Sequence, residues 1–181
     1  HLHGKSDAHA PGIFQLGVDA DRNVDIAALG LHIQLREVKG PWTVEFDRAA
    51  AGPGSVTLNH LEDWSQRPEG SIRYYSGRAT YRTRFDLPVG ADPTGALRLD
   101  LGRVGALARV RLNGQDYGLV WTAPWQVDIT TAARPAGNDL EVDVVNLWPN
   151  RLIGDAGLPK EQRLTATNIE FRPDMALLES G

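Results

Sequence analysis

Ala108-Arg-Val-Arg-Leu-Asn-Gly-Gln-Asp-Tyr-Gly-Leu-Val-Trp-Thr-Ala-Pro-Trp-Gln-Val-Asp-Ile129 is the stretch on which the reading of the fold turns. Ala108, Val110 and Leu112 alternate with Arg109 and Arg111, the two-residue period of a strand with one buried face. Asn113-Gly114 follows at once. That pair adopts the positive φ values of a tight hairpin turn, so the chain should double back through Tyr117. Trp121 to Trp125 then interrupts the pattern before Val127 and Ile129 resume it. Pro124 cannot donate to a ladder, which puts this segment at an edge or in a loop, with two indoles close together where a strand ends.

The same alternation recurs on both sides. Trp42, Val44 and Phe46 form one apolar face, and Val56 and Leu58 a shorter one. Tyr81, Thr83, Phe85 and Leu87 oppose Arg82, Arg84 and Asp86. Leu97, Leu99 and Leu101 alternate with Arg98 and Asp100. Leu140, Val142 and Val144 alternate with Glu141 and Asp143. Leu31, Ile33 and Leu35 predict an earlier strand, after one helical turn over Ile26 to Leu29. Thr165, Thr167, Ile169 and Phe171 predict a last one. The 19 Gly and 11 Pro are spread along the chain, as turns between short strands require. About nine strands, no amphipathic helix of respectable length and no internal repeat predict an all-β, antiparallel β-sandwich, most simply a jelly roll.

Composition narrows the function classes. The 181 residues make one domain of ordinary size, or one with an arm. A net charge of −4 gives no reason to expect nucleic acid or an anionic membrane as partner. The absence of cysteine removes thiol nucleophiles and thiolate metal sites. The chain begins His1-Leu2-His3, which reads as a mature product or an excised piece. His1, His3 and His9 read as a chain end rather than a metal site. Asp19 to Asp25 has acidic groups at alternate positions, like a calcium loop, but Val24 and Gly30 stand where such a loop needs Gly and Glu, so it reads as an acidic turn.

Several short motifs match one family in order and spacing: Gly40 to Phe46, Tyr75 to Phe85, Leu99 to Val104, Val110 to Gly114, Trp121 to Ile129 and Gly137 to Val142. Together they resemble the galactose-binding-like jelly roll attached to large glycoside hydrolases, known in family 2 enzymes as the sugar-binding domain. Asn146-Leu-Trp-Pro-Asn-Arg-Leu-Ile-Gly-Asp155 is most similar to the C-terminal module of family 106 α-L-rhamnosidases. The resemblance covers residues 38–181; residues 1–37 are left as an N-terminal arm or additional strands. It implies a non-catalytic, carbohydrate-binding module of a larger bacterial enzyme, secreted or periplasmic, whose catalytic residues lie in a separate domain. No cofactor is required, and the resemblance allows a structural calcium.

Independent catalysis finds little support in the residues. Glycoside hydrolysis needs two carboxylates flanking the bond. Glu62-Asp63 and the set Asp139, Glu141, Asp143 are available, but the latter share one face of a strand and read as a solvated face. Ser76, His60 and Asp63 lack a nucleophile elbow.

Sugar binding has better candidates. An exposed aromatic plate matches the C–H face of a sugar and planar polar groups match its hydroxyls. Trp121, Trp125 and Trp148 lie in loop-like segments, and Asn146, Asn150, Arg151 and Asp155 accompany Trp148. Tyr75 is a further candidate, since one of Tyr74 and Tyr75 faces outward if the strand continues there. Arg151 and Asp155 have a second reading as a salt bridge that pins a loop. Two functions remain: a module that binds polysaccharide or oligosaccharide for the enzyme's catalytic domain, and a structural sandwich whose aromatic loops pack on that domain.

Overall fold

A computed structural model describes residues 15–16, 36–88 and 96–181. Its strands in chain order are β1 (Gln15–Leu16), β2 (Arg36–Glu37), β3 (Trp42–Phe46), β4 (Ser55–Leu58), β5 (Gly77–Phe85), β6 (Arg98–Asp100), β7 (Leu107–Leu112), β8 (Gln115–Val120), β9 (Gln126–Asp128) and β10 (Asn138–Asn146). Among the described residues two α-helices accompany them, α1 (Gly70–Arg73) between β4 and β5 and α2 (Pro149–Ala156) after β10. The strands form two antiparallel sheets, a six-stranded one in the order β4-β3-β5-β10-β7-β8 and a four-stranded one in the order β2-β1-β6-β9. The protein is an all-β sandwich of the jelly-roll type.

Register explains why the sandwich closes. Val56, Val44, Tyr81, Val142 and Val110 are cross-strand partners in one row across the six-stranded sheet. Phe46, Ala79, Val144 and Ala108 form the next row. Because side chains alternate faces, both rows point inward together. Leu99, Leu101, Val127 and Ile129 answer them from the four-stranded side. Asn113 and Gly114 take φ of 53° and 84°, which gives the tight β7–β8 hairpin that the sequence calls for.

Under one end of the core lies an aromatic cluster. The Trp64 ring stacks on Tyr81 at 6.2 Å between centroids, meets Phe46 edge-on at 5.1 Å, and donates its indole N–H to Tyr81 Oη at 2.6 Å. Asp63 starts the short 3-10 turn that presents Trp64, accepting from Ser65 N and Ser65 Oγ.

Two expectations are corrected. Residues 165–171 form no strand: Asp155 Oδ2 accepts from Leu164 N and Thr165 N, so donors that a ladder needs are bound by a side chain. The segment after β10 is not simply irregular, because Pro149 starts α2 at the N1 position, where its missing N–H costs nothing. The expected strand at Leu31 to Leu35, the turn at Ile26 to Leu29, the acidic turn at Asp19 to Asp25 and the three N-terminal histidines lie outside the described residues.

Candidate carbohydrate-binding end

The register shows which connections share an end of the sandwich. β10 ends at Asn146 opposite Gly77, the first residue of β5. β7 begins at Leu107 opposite Val145, and β8 ends at Val120 opposite Ala108. In the other sheet β9 begins at Gln126 opposite Asp100, near the end of β6. Residues 74–76, 101–106, 121–125 and 146–148 therefore emerge at the same end. Trp121 follows edge strand β8, two strand spacings from the end of β10, or ~10 Å along the sheet.

The candidates differ sharply in what they offer there. Trp121 and Trp148 are 74% and 62% exposed, and Leu147 beside Trp148 is 53% exposed. Trp125 is half-buried, packs against the core, and accepts from Leu101 N through its carbonyl at 2.7 Å.

Tyr75, Arg151 and Asp155 face inward, and for them the sequence reading is corrected; Asn146 and Asn150 are also buried but line a cleft at this end. Tyr75 is fully buried: the chain turns through α1 instead of extending β5 backwards, and Tyr75 Oη donates to Arg78 O at 2.6 Å and accepts from Asp47 N. Burial pushes its phenol pKa up. Asn150 is buried, and its side-chain amide pairs with the backbone of Leu178 in both directions, at 2.6 and 2.7 Å. Asp155 holds the 164–165 backbone. Arg151 and Asp155 make no ion pair. Arg151 Nη2 and Asp155 Oδ1 are buried without a hydrogen-bond partner among the described residues. Burial draws the Arg151 guanidinium down from its usual value, against the opposing effect of Asp155. Asn146 is buried at the floor of the end, with Nδ2 donating to Tyr75 O at 3.1 Å.

Sequence reasoning missed the groups that complete this end. A cleft of about 430 Å³ opens between residues 103–105, the start of α2 and residues 177–181. Arg103 and Glu179 pair at 2.6 Å among the residues that line it, and both are substantially exposed. Nothing local marks residues 177–181 as part of a site. Their place depends on Asn150 and on Asp63, whose Oδ1 accepts from Ser180 N at 3.0 Å.

The carboxylates considered for catalysis are engaged elsewhere. Arg84 binds Asp139 at 2.9 and 3.1 Å, and Arg82 binds Glu141 at 2.8 Å. Arg111 bridges Glu141 and Asp143, while Thr80 donates to Asp143. Asp63 caps and anchors, and Glu62 pairs with Arg67 at 2.6 Å. Among the described residues no group of three or more His, Asp or Glu is placed to hold a metal ion. Nor is any helix among them long and apolar enough to cross a membrane.

No family model matches the chain. A Formosa agariphila protein named "Putative beta-glucuronidase" is 39% identical over 139 residues, 76% of this chain and 12% of that protein. Among solved structures, the rhamnosidase from Novosphingobium sp. PP1Y superposes with a TM-score of 0.72 at 40% identity, over 80% of this chain and 14% of that one. A β-glucuronidase from Ruminococcus gnavus is more distant, with 24% identity and a TM-score of 0.49 over 60% of this chain. These relatives are glycoside hydrolases, and the chain spans only 12 to 14% of the length of the first two.

Proposed function

We propose that this chain is a non-catalytic accessory β-sandwich of a larger, rhamnosidase-like glycoside hydrolase, and that it binds polysaccharide or oligosaccharide through its loop end. The observation that carries the reading is the pair of exposed indoles, Trp121 and Trp148, at the same end of the sandwich. An indole presented to water next to polar groups is the surface a sugar ring stacks on. The 40% identity to part of a rhamnosidase supports the enzyme context, and the small share of that enzyme covered supports an accessory role. The outer-face acids Asp139, Glu141 and Asp143 are paired with arginines rather than opposed across a cleft as hydrolysis needs. An export route to the periplasm or medium follows from the same reading, since the substrate is a polymer.

A second reading, in which this surface docks the catalytic domain and no sugar binds, is favoured by one observation. Leu158, Leu164, Ile169, Met175 and Leu178 are exposed along a segment without strands. Affinity electrophoresis in gels of rhamnose-containing and plant polysaccharides separates the two. The expected result is retardation of the chain in at least one gel, reduced by Trp121→Ala or Trp148→Ala and lost in the double variant. Unretarded migration in every gel, with a catalytic domain that loses stability when this chain is removed, establishes the docking reading instead.

A further inference from the structure

We propose that the cleft between residues 103–105 and 177–181 is a subsite for one uncharged residue at the end of a glycan, distinct from the stacking surface of Trp121. This rests on the carbohydrate-binding reading above and deepens it. The cleft volume of about 430 Å³ lies in the lower part of the range for small-ligand clefts, ~300–1,000 Å³, so its occupant is a short chain end rather than a polymer laid across the surface. Its lining is amphipathic in the way a sugar is. Leu147, Pro149 and Leu178 supply apolar surface for a C–H face or a methyl group.

The polar groups converge from three separate segments. Asn146 is held by its Nδ2 bond to Tyr75 O, which orients its amide and leaves Oδ1 as an acceptor. That oxygen lies 3.7 Å from where a Cβ on Gly105 would stand. Arg103 and Glu179 add a planar donor and a planar acceptor side by side, a pair suited to neighbouring hydroxyls that each donate and accept. Because the two charges already neutralise one another, the cleft offers an anionic sugar no uncompensated cation. The geometry therefore selects a neutral residue over a uronate.

Gly105 makes the idea testable. Its φ lies outside the left-handed region, and an added Cβ would stand 3.3 Å from Glu179 O and 3.7 Å from Asn146 Oδ1, so a side chain there crowds two of the cleft's own lining residues, with the Glu179 backbone giving by a few tenths of an ångström to admit the Cβ. The experiment is a backbone-amide NMR titration of the chain with methyl α-L-rhamnopyranoside, methyl β-D-glucopyranoside and methyl β-D-glucopyranosiduronic acid. At least one neutral glycoside should shift the amides of Gly105, Asn146, Leu147 and Gly181, and the uronate should not. Gly105→Val and the surface change Arg103→Ala should each weaken that binding by at least ~10-fold, with melting curves confirming that both variants fold. The proposal is overturned if the uronate binds as well as the neutral sugars, or if shifts map to Trp121 and leave the cleft silent. Polysaccharide retention without any response at the cleft rejects this subsite while the broader reading stands. Absence of both retention and shifts rejects the two together.

Discussion

The outer face of the six-stranded sheet and the loop end of the sandwich use similar raw materials in opposite ways. On the outer face Arg82, Arg84, Arg109 and Arg111 stand in register with Asp139, Glu141, Asp143 and Asp116, and each charge finds its counterpart on the next strand. At the loop end the side chains have no register to follow. Two indoles and Leu147 face water there, while Asn150 and Asp155 hold irregular backbone in place. Strand pairing satisfies side chains against one another as a by-product of the ladder. Connections leave surface over, and binding chemistry is found where surface is left over.

The sharpest way to break this contrast is to make one substitution in both regions of tryptophan. Trp64→Ala removes a fully buried indole that touches Phe46, Tyr75 and Tyr81, and should cost ~3–5 kcal/mol in urea unfolding. Trp121→Ala removes an indole with most of its surface already in water and should change stability by no more than ~0.5 kcal/mol. Retention by polysaccharide should respond in reverse: Trp64→Ala, while still folded at low temperature, keeps it, and Trp121→Ala weakens it. A large stability loss from Trp121→Ala would show that its indole packs against something and is no free platform.

A smaller effect tests how the loop end is held. Asp155→Ala leaves Leu164 N and Thr165 N without their acceptor and removes the negative charge that offsets burial of the Arg151 guanidinium. Partial access of water to the segment limits the penalty, so the expected loss is ~2 kcal/mol. Limited proteolysis should cut within residues 158–178 sooner than in the wild type. Unchanged proteolysis would mean that the segment is secured by its other anchor, Asn150 with Leu178, alone.

The regular part of this molecule was legible because strands repeat. Trp42/Val44/Phe46, Ala108/Val110/Leu112 and Leu140/Val142/Val144 each announce a buried face by alternation, and all three faces are buried as read. Alternation misled at Thr165 to Phe171, where a period-two pattern meets no neighbouring strand and side-chain acceptors capture the backbone. It was silent about α2, since Pro149 breaks a strand and starts a helix equally well, and only the chain around it selects between them. At the site, the exposed indoles Trp121 and Trp148 could be guessed from Pro124 and Pro149, which end ladders nearby. Tyr75, Asn150 and Asp155 could not be sorted from ligand-facing residues. Their partners, Arg78, Leu178 and Thr165, are chosen by the fold and carry no local mark. Arg103 and Glu179, 76 positions apart in sequence, meet only because both ends of that path return to one end of the sandwich.

The mildest test concerns acid. Hydrogen bonding from Arg109 holds the Asp116 carboxyl down to about 2, and Arg84 does the same for Asp139 in direction. Asp128 is lowered by its bonds from Thr130. An unfolded chain returns these groups to ~3.9, so between those values it binds more protons than the folded one. Their stabilisation is therefore complete above ~4 and is lost as pH falls toward 2. The melting temperature should decline over that interval, and less steeply in Asp116→Asn, which has no proton left to take up at that position. High salt, which screens exposed pairs at distances beyond ~3 Å at 1 M, should shrink the difference between the two proteins. Asp116 sits beside the β7–β8 turn, across the sheet from the Trp121 end, so the same variant should retain polysaccharide undiminished. Loss of retention in Asp116→Asn would mean that the charged face and the loop end are energetically one surface, and that the division argued from their side chains is false.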